Sequence, residues 1–366
     1  MHTRQKVGIL GATGMVGQRF IQLLEKHPWF EVAWLAASDR SSGKSYSEAA
    51  RWKLETPIPA AVAGMKVSPA VPDGAPKIIF AALDADIARE MEPQFAAAGC
   101  AVISNSSAFR MQADVPLVIP EVNHEHLELL ERQSWRKASG GYIVTNPNCS
   151  AIGLVLALKP LQERFGLESI FVSTMQAISG AGYPGVASLD ILGNVVPYIK
   201  GEEEKLEAET LRLLGRLDGG KVAPLEAAIT AHCNRVSVED GHTENVSVKL
   251  RRPATREQII AAWNEFAPLR GRALPTAPEH PVEIAEGEDR PQPRLDRMRG
   301  NGMTVTVGRL RPCSLLDWKF TTLSHNTIRG AAGAALLNAE LLESLGRLAP
   351  EDREGAAQNR GMAVRA

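Results

Sequence analysis

The residue of this chain best placed for chemistry is Cys149, which lies in the segment TNPNCSAIG at residues 145–153. A short β-type run precedes a proline turn, and the apolar residues that follow predict a buried helix ending near Pro160. Cys149 is therefore expected at or just before a helix N-terminus, where free backbone N–H groups and the macrodipole stabilise negative charge. Such groups lower the pKa of a thiol and can hold an oxyanion beside it. The alternative is a small buried hydrophobe, which is what most intracellular cysteines are.

A thiol nucleophile needs a base and a group that orients the substrate, and residues 233–244 offer both. Arg235 lies near the end of a predicted strand, and His242 follows a turn that contains Gly241. Taken singly, each residue has an ordinary alternative. A lone arginine commonly forms a surface ion pair, and a lone histidine is commonly structural.

A glycine-rich turn near the start of the chain predicts a dinucleotide site. Residues 11–17, GATGMVG, spell GxxGxxG directly between a predicted strand at 7–10 and a predicted amphipathic helix at 15–26. Glycines in this position permit a tight turn, close approach of the backbone to a pyrophosphate, and close packing of helix on sheet. Glycine alone is weak evidence, but the order strand, loop and helix strengthens the prediction.

The polar loop after the second predicted strand should meet the adenosine ribose. It spells SDRSSGK at residues 38–44. A solitary acid such as Asp39 would favour NAD, because a carboxylate pairs with the 2′-hydroxyl and repels a 2′-phosphate. The donors and positive charges of the loop suit that phosphate instead, and they come from Ser38, Arg40, Ser41 and Lys44. NADP is therefore the favoured cofactor, with a solvated polar loop as the alternative.

The composition is that of an ordinary globular protein of 366 residues, with 44% hydrophobic and 23% charged residues. This length predicts about two domains. The net charge of −1 gives no sign of a nucleic-acid or membrane surface. The polar first residues leave no room for a signal peptide, and no apolar run approaches the roughly 18 residues that span a bilayer. We therefore expect a cytoplasmic location.

The remaining cysteines and histidines have no metal-like spacing. The four cysteines are widely scattered, at Cys100, Cys149, Cys233 and Cys313. This pattern indicates a reduced compartment, with every cysteine except Cys149 expected to be inert packing. His124 and His126, in PEVNHEH, look like metal ligands. They are expected instead to flank the start of a surface helix, and no metal is expected.

The pattern of predicted elements indicates an α/β protein of two domains. In the first half, strands at 7–10, 31–37, 77–81 and 101–104 alternate with helices, which predicts a parallel sheet of Rossmann type. In the second half, residues 170–178, 227–237, 243–250 and 303–310 alternate with period two, as strands with one packed face do. Helices are expected at 202–216, 255–266 and 327–348, and a surface connection at 280–299.

At this level of detail the chain resembles aspartate-β-semialdehyde dehydrogenase, in particular the branch found in archaea and fungi. The resemblance covers about residues 5–345 and rests on distinctive motifs in the family's order. They are GATGMVG at Gly11, SDRSSGK at Ser38, SNSSAFR ending at Arg110, PLVIPEVN at Pro116, TNPNCSAIGL around Cys149, QAISGAGYPG from Gln176, PYIKGEEEK from Pro197 and HNTIRGAAG from His325.

The resemblance implies a role for each matching residue. Cys149 would be the acyl-forming nucleophile, His242 the general acid/base, and Gln176 a residue that positions the intermediates. The substrate and phosphate would be bound by Arg235 at the α-carboxylate, Arg110 and Lys200 at the phosphate, Glu203 (not ranked against Glu202) at the amino group, and Asn148. The cofactor site would be lined by Gly11, Ala12, Thr13, Gly14, Met15, Val16, Ser38, Arg40, Ser41, Ser179, Gly180 and Asn326.

The resemblance also implies the domain organisation. Residues 1–148 and 327–348 would form the NADP-binding Rossmann-type domain, with the C-terminal helix returning to it. Residues 149–326 would form the catalytic and dimerisation domain, and residues 349–366 a frayed tail. A homodimer or homotetramer is expected, because the alternating strands of the second domain leave a sheet face that needs cover.

The implied activity is NADPH-dependent reductive dephosphorylation of L-4-aspartyl phosphate to L-aspartate 4-semialdehyde and phosphate. This step would serve biosynthesis of lysine, threonine, methionine and isoleucine. The nearest alternative is a malonyl-CoA or other acyl-CoA reductase on the same scaffold. A non-catalytic dinucleotide-binding protein is the alternative from a different class, and it leaves the nucleophile, the base and both anion-binding arginines unexplained.

Overall fold

The structure is a computed structural model that describes residues 4–348. The tail predicted at 349–366 lies outside the described residues. The first domain is built on a parallel sheet of order β2-β1-β3-β4-β5. Its strands are β1 (Gln5–Leu10), β2 (Phe30–Ala36), β3 (Ile78–Ala81), β4 (Ala101–Ser104) and β5 (Tyr142–Thr145). All four strands expected in the first half are present, with ends shifted by one or two residues.

The helices of the first domain cover the two faces of this sheet. They are α1 (Met15–Leu24), α2 (Tyr46–Ala49), α3 (Ala60–Ala63), α4 (Ala85–Ala97), α5 (Pro120–Asn123) and α6 (Ser134–Ser139), with a 3-10 helix at His124–Arg132. α1 begins directly after Gly14 of the glycine-rich turn and buries Phe20, Ile21 and Leu24 against the sheet. The carboxyl ends of β1 and β2 thus lie side by side at the start of α1, where a dinucleotide binds in folds of this class.

The second domain contains a six-stranded mixed sheet of order β11-β12-β13-β10-β6-β9 and a separate two-stranded one. Its strands are β6 (Leu167–Gln176), β7 (Arg216–Asp218), β8 (Lys221–Ala223), β9 (Ala228–Arg235), β10 (His242–Leu250), β11 (Val282–Ile284), β12 (Val305–Pro312) and β13 (Trp318–Ser324). Its helices are α7 (Cys149–Phe165), α8 (Ser188–Ile191), α9 (Glu202–Leu213), α10 (Arg256–Asn264) and α11 (Pro293–Asp296). Strands β11 and β13 were not predicted, and β11 interrupts the expected surface connection at 280–299.

Helix α7 packs along the buried face of the second sheet and is longer than expected. The predicted end near Pro160 is wrong, because the helix continues to Phe165 with the proline inside it. Proline removes one helical hydrogen bond. Beyond it, Leu161 and Phe165 are buried in the core of the second domain. Burial of these side chains offsets the loss of that bond.

The last described helix returns to the first domain, as the resemblance implied. A π-helical turn at Ile328–Ala332 leads directly into α12 (Gly333–Ser344). Its side chains Leu336, Leu337 and Leu341 are fully or almost fully buried in the same core as Phe80 of β3. The predicted α/β fold with a returning C-terminal helix is confirmed. Within residues 4–348, no helix is long and apolar enough to cross a membrane.

Candidate active site

Cys149 is the first residue of α7, immediately after Asn148, the residue that caps the helix. The side-chain oxygen Oδ1 of Asn148 accepts from the N–H groups of Ser150 (2.8 Å) and Ala151 (3.2 Å). Placement at a helix N-terminus is as expected, but two of the N–H groups expected to be free are taken by the cap. The cap therefore leaves fewer free N–H groups at this helix start to hold an oxyanion beside the sulfur.

His242 begins β10 and completes a thiol–imidazole pair. Its Nε2 lies 3.2 Å from Sγ of Cys149, and its Nδ1 accepts from the backbone N–H of Ala177 at 3.0 Å. The side chain is fully buried. Burial, followed by the positive charge of Arg235 and the neighbouring His325, lowers the pKa of His242 to about 3. The imidazole is therefore neutral at physiological pH.

The thiol of Cys149 is also neutral at physiological pH. Burial of the sulfur raises its pKa to about 12, with the carboxylate of Glu202 acting in the same direction and Arg110 and Arg235 opposing it. The expectation that the pKa of this thiol is lowered is wrong. The physical reason is desolvation of the thiolate, which outweighs the helix dipole and both arginines.

Arg235, at the end of β9, lies beside the thiol–imidazole pair. One of its amino groups, Nη1, donates to the carbonyl of Ala177 at 2.8 Å. A Cβ on Gly180 would come within 2.9 Å of this Nη1 and 3.3 Å of the Nε2 of His242, so glycine is required there for the two side chains to keep their places. Gln176 is paired with Arg235 across β6 and β9 and is buried, with Nε2 donating to Oγ1 of Thr174 at 3.3 Å.

The structure separates the two glutamates that the sequence left unranked. Glu202 is buried, and its Oε1 accepts from Nδ2 of Asn148 at 2.8 Å. Its carboxylate is close enough to raise the pKa of the Cys149 thiol. Glu203 points elsewhere, because its Oε1 accepts from the backbone N–H of Cys233 at 2.9 Å. Glu202, rather than Glu203, therefore faces the reacting sulfur.

The two predicted phosphate-binding cations have different surroundings. Arg110 is buried and lies near Cys149; its Nη1 donates to Glu209 at 3.0 Å and its Nη2 to the carbonyl of Asn105 at 2.7 Å. Glu209 also accepts from the backbone N–H of Asn148 at 2.6 Å, so the ion pair is joined to the turn that carries the cysteine. Lys200 is exposed in the turn before α9.

The glycine turn fits a dinucleotide. Gly11 has a positive φ of 80°, and a Cβ there would lie 2.3 Å from the carbonyl oxygen of Ala82. A Cβ on Gly17 would lie 2.3 Å from the oxygen of Gly11, which explains the close packing of α1. Gly14, by contrast, is exposed at the start of α1, which has no side-chain cap. An open, uncapped helix start suits a pyrophosphate.

The other predicted cofactor residues surround this turn or lie near the catalytic pair. Ala12 and Thr13 continue the turn, and Met15 and Val16 form the first turn of α1. Ser38 and Arg40 are exposed and Ser41 is half-buried, next to β2, whose Ala36 carbonyl accepts from the N–H of Gly11 at 2.9 Å. The loop after β2 therefore adjoins the glycine turn, as a ribose-binding loop must.

Ser179 and Asn326 join three segments around the catalytic pair. Nδ2 of Asn326 donates to Oγ of Ser179 at 2.8 Å, and its Oδ1 accepts from the backbone N–H of Gly241 at 2.8 Å. Gly241 directly precedes His242. The two predicted cofactor residues thus also fix the turn that presents the imidazole.

Several residues that support the site were missed by sequence reasoning. Gly330 packs on Cys149, and the buried carboxylate of Glu121 accepts two hydrogen bonds from Arg329 at 2.9 and 2.8 Å. Tyr46 is buried and its hydroxyl donates to the carbonyl of Ala12 at 2.9 Å. Three of these residues carried a signal, since Gly330 and Arg329 lie in the motif HNTIRGAAG and Glu121 lies in PLVIPEVN.

The remaining histidines and cysteines are structural in most cases. His124 and His126 were expected to flank the start of a surface helix. His124 does begin the 3-10 helix, but a surface position is wrong for His126, which is fully buried, with Nδ1 2.9 Å from Nδ2 of Asn123. Cys100 and Cys233 are buried, whereas Cys313 is partly exposed in the turn after β12. Backbone N–H groups, that of Leu316 first, lower the pKa of Cys313, so it is not inert packing. Among residues 4–348 no group of three or more potential ligands could hold a metal ion.

Two family comparisons agree with this two-domain architecture. Residues 6–130 match the semialdehyde dehydrogenase NAD binding domain, and residues 158–329 match the semialdehyde dehydrogenase dimerisation domain. The protein has a dinucleotide-binding fold and a second, sheet-containing domain that completes a cysteine–histidine site. These features define its class, the semialdehyde dehydrogenases.

Individual relatives identify the family within this class. The aspartate-semialdehyde dehydrogenase of Archaeoglobus fulgidus is 53% identical over 340 residues, which cover 93% of this chain and 98% of that protein. The enzyme of the same name from Saccharomyces cerevisiae is 45% identical over 359 residues, with 93% and 98% covered. The crystal structure of the Candida albicans enzyme with NADP has a TM-score of 0.87 at 45% identity, covering 93% of this chain and 99% of that one. The chain belongs to the aspartate-semialdehyde dehydrogenase family, and the resemblance found in its motifs is confirmed.

Proposed function

We propose that the protein catalyses the NADPH-dependent conversion of L-4-aspartyl phosphate to L-aspartate 4-semialdehyde and phosphate. The observation that carries the proposal is the 3.2 Å contact between Sγ of Cys149 and Nε2 of His242, with Arg235 and Arg110 close to the same sulfur. Family membership supports it, since the relatives in archaea and fungi carry the name of this activity.

Cys149 would act as the nucleophile. The sulfur attacks the carbonyl carbon of the acyl phosphate, the C–S bond forms, and the C–O bond to phosphate breaks. The resulting thioester accepts hydride far more readily than a carboxylate would. When bound, the dinucleotide supplies that hydride. The nearby Nε2 of His242 is placed to act on the sulfur and on the oxygen of the reduced intermediate.

The charged groups of the site suit a substrate with two anionic ends and one cationic group. Arg235 would bind the α-carboxylate through the N–H groups that Ala177 does not occupy, and Arg110 would bind the phosphate with help from Lys200. Glu202, held by Asn148, is placed to pair with the substrate ammonium group. Asn148 would act chiefly by holding Glu202 and capping α7, and Gln176 by positioning the intermediates.

NADP is the proposed cofactor. The glycine turn and the open start of α1 would hold the pyrophosphate, while Ser38, Arg40 and Ser41 would contact the 2′-phosphate. The Candida albicans relative was solved with NADP, which supports this choice. Ser179, Gly180 and Asn326 would line the nicotinamide end, beside the catalytic pair.

The decisive assay is NADP reduction with aspartate semialdehyde, with and without inorganic phosphate, in the wild type and in Cys149→Ser. We expect phosphate-dependent turnover that is lost in the variant. Turnover that ignores phosphate would rule out the acyl-phosphate mechanism, and an undiminished Cys149→Ser variant would rule out the nucleophile. Malonyl-CoA with NADPH serves as the competing substrate, and preferred use of it would indicate an acyl-CoA reductase.

We further propose a homodimer or homotetramer built through the second domain, which matches a dimerisation domain. The outer face of the sheet leaves Phe171 exposed, and the excursion after β6 exposes Leu189, Leu192 and Tyr198 by 91, 66 and 65%. Such apolar side chains favour contact with a second copy. Light scattering at micromolar concentration should give at least the dimer mass.

A cytoplasmic location is proposed as well, because all four cysteines are free.

A further inference from the structure

Arg19 and Asp240 form an ion pair between the two domains. Arg19 is in α1, two residues after Gly17, and Asp240 lies two residues before His242. Nη2 of Arg19 is 3.6 Å from Oδ2 of Asp240, and the two side chains are only 12 and 14% exposed. An ion pair that is shielded from solvent is screened less than one on the open surface. The contact therefore connects the dinucleotide-binding domain to the turn that presents the imidazole.

The same two side chains carry the atoms for a closer contact. Nε of Arg19 and Oδ1 of Asp240 are buried, and neither has a hydrogen-bond partner within residues 4–348. Nε and Nη2 lie on one edge of the guanidinium, so they can donate side by side to the two oxygens of a carboxylate. Nη1 is already used, because it donates to Oε1 of Gln22 at 2.8 Å. A shift of roughly half an ångström would bring the pair within hydrogen-bond distance.

The other charged groups near Asp240 have their own contacts. Arg297 donates through Nη1 to the backbone carbonyl of Asp240 at 3.4 Å, and its Nη2 lies 3.9 Å from the carboxylate of Glu239. Nε2 of His325 is 4.0 Å from Oδ2 of Asp240. Burial lowers the pKa of His325 to about 4, so this ring is neutral at physiological pH. Arg19 is therefore the permanent positive charge that faces the Asp240 carboxylate most closely in the described part of the chain.

A dinucleotide would connect the same two segments as the ion pair. The residues proposed to hold its pyrophosphate precede α1, and Asn326 is proposed to line its nicotinamide end. Oδ1 of Asn326 accepts from the backbone N–H of Gly241 at 2.8 Å, directly after Asp240. Two connections between the same pair of segments strengthen each other, because each restricts motion that the other must also restrict. Dinucleotide affinity should therefore depend on the ion pair without direct contact.

We propose that Arg19 and Asp240 are positioning residues whose ion pair is completed to two hydrogen bonds when a dinucleotide is bound. The pair would hold α1 and the 239–241 turn at the spacing that the cofactor needs, and would thereby place His242 against the nicotinamide end. Neither side chain would touch the cofactor. The inference rests on the cofactor site of the proposed function, and it is independent of the identity of the acyl substrate.

Crystal structures of the wild type with and without NADP test the geometry. With NADP we expect the distances from Nε of Arg19 to Oδ1 of Asp240, and from Nη2 to Oδ2, to be about 2.7–3.0 Å. Without NADP at least one of them should be longer than a hydrogen bond. Two long distances in the NADP complex would overturn the proposal. Two short distances in both crystals would overturn it as well.

Calorimetric titration with NADP tests the energetic coupling. Arg19→Met and Asp240→Asn should each raise the Kd for NADP by about fivefold or more. The double variant should bind NADP no more weakly than the single variants, because all three lack the same connection. Glu239→Gln is the matched control, since it removes one negative charge from the same turn but leaves Asp240 in place. Arg19→Lys keeps the positive charge and should recover part of the affinity.

The other outcomes contradict the proposal. Additive effects, or an effect of Arg19→Met without one of Asp240→Asn, would mean that Arg19 contacts the cofactor itself. Lower thermal stability with an unchanged Kd would mark a merely structural pair. If the variants do not fold, the two wild-type crystals still decide.

The titration also separates this inference from the proposed function, because NADP binding needs no acyl substrate. Coupled Kd values in a protein that does not turn over aspartate semialdehyde would refute the proposed activity alone. Normal phosphate-dependent turnover with uncoupled Kd values would refute the role of Arg19 and Asp240 alone.

Discussion

The backbone of Gly330 packs directly on the side chain of Cys149. A Cβ at position 330 would lie 2.7 Å from the Cβ and 3.0 Å from the Cα of the cysteine. Gly330 lies in the π-helical turn that brings the chain back to the first domain. The reactive sulfur is therefore positioned from two sides, by His242 and by a turn from the end of the described chain.

Gly330→Ala should move the thiol. Adding a methyl group against backbone atoms forces a local shift that costs about 1–3 kcal/mol in a packed core. We expect slower alkylation of Cys149 and turnover reduced by about tenfold or more, because small displacements of reacting groups are costly. Gly64→Ala, at a glycine with open space around it, is the control. Equal effects of the two substitutions would contradict this packing argument.

Glu121 and Arg329 should anchor the same turn. Both side chains are fully buried and share two hydrogen bonds. Arg329→Met leaves a buried carboxylate without its partner and should lower the free energy of unfolding by about 3–5 kcal/mol. The double variant Glu121→Leu/Arg329→Met should recover most of that loss. Arg89→Ala breaks an exposed pair with Asp86 and should change denaturant stability by less than about 1 kcal/mol.

The adjacent glutamates offer a test of substrate recognition. Glu202→Gln removes the negative charge beside the sulfur, so KM for aspartate semialdehyde should rise by about tenfold, equivalent to about 1.4 kcal/mol. Glu203→Gln keeps an oxygen that can accept from the N–H of Cys233 and should leave KM nearly unchanged. Steady-state kinetics on both variants decide whether Glu202 or Glu203 contributes to substrate binding. A larger effect at Glu203 would reverse the assignment.

Cofactor choice should depend on the loop after β2. Arg40→Ala removes a positive charge proposed to meet the 2′-phosphate, so KM for NADP should rise by about tenfold while KM for NAD changes little. Lys26→Ala, which removes an exposed charge just beyond α1, is the matched control. If KM rises equally for NADP and NAD, Arg40 stabilises the loop and does not contact the 2′-phosphate.

Stability should depend on pH through Glu244. Neither oxygen of this fully buried carboxyl has a hydrogen-bond partner among residues 4–348, and burial followed by the charge of Glu202 raises its pKa well above the ordinary value. The pKa of Glu244 is higher in the folded chain than in the unfolded chain. Its full contribution to the free energy of unfolding therefore exists below the unfolded pKa of about 4.3. That contribution is lost as pH rises through the folded value.

Glu244→Gln tests this sign. The variant and the wild type should unfold alike below about pH 4, where both side chains are neutral in the folded and unfolded chains. As pH rises, the variant should become the more stable of the two. Thermal unfolding across this range measures the difference, and the exposed Glu128→Gln should show none. A wild type that gains stability over the variant with rising pH would refute the raised pKa.

Local sequence patterns predicted most of the fold. Strand β1 and the glycine turn follow from residues close together in the chain. Helix α7 was predicted too short, because Pro160 is a local signal whereas burial of Phe165 is not. Strand β13 was missed because it buries the polar residue Thr322 beside Phe320, which hides its apolar alternation.

For the site, the sequence supplied the reactive groups but not their states. Cys149 and His242 were identified, yet their pKa values depend on desolvation that only the assembled core creates. Glu202 and Glu203 are neighbours in sequence, and only their contacts distinguish them. Gly330 and Ala177 act through backbone atoms, so no side-chain chemistry marked them in advance.

The order of synthesis gives the π-helical turn a further significance. The ribosome makes Cys149 well before residues 328–332, so the thiol lacks one wall of its pocket until almost the whole described chain has emerged. Domains generally fold as units during translation. Here the first core includes side chains of α12, which is made after all the other described helices and strands. A nascent chain released early would therefore carry the glycine turn and the cysteine but no finished catalyst.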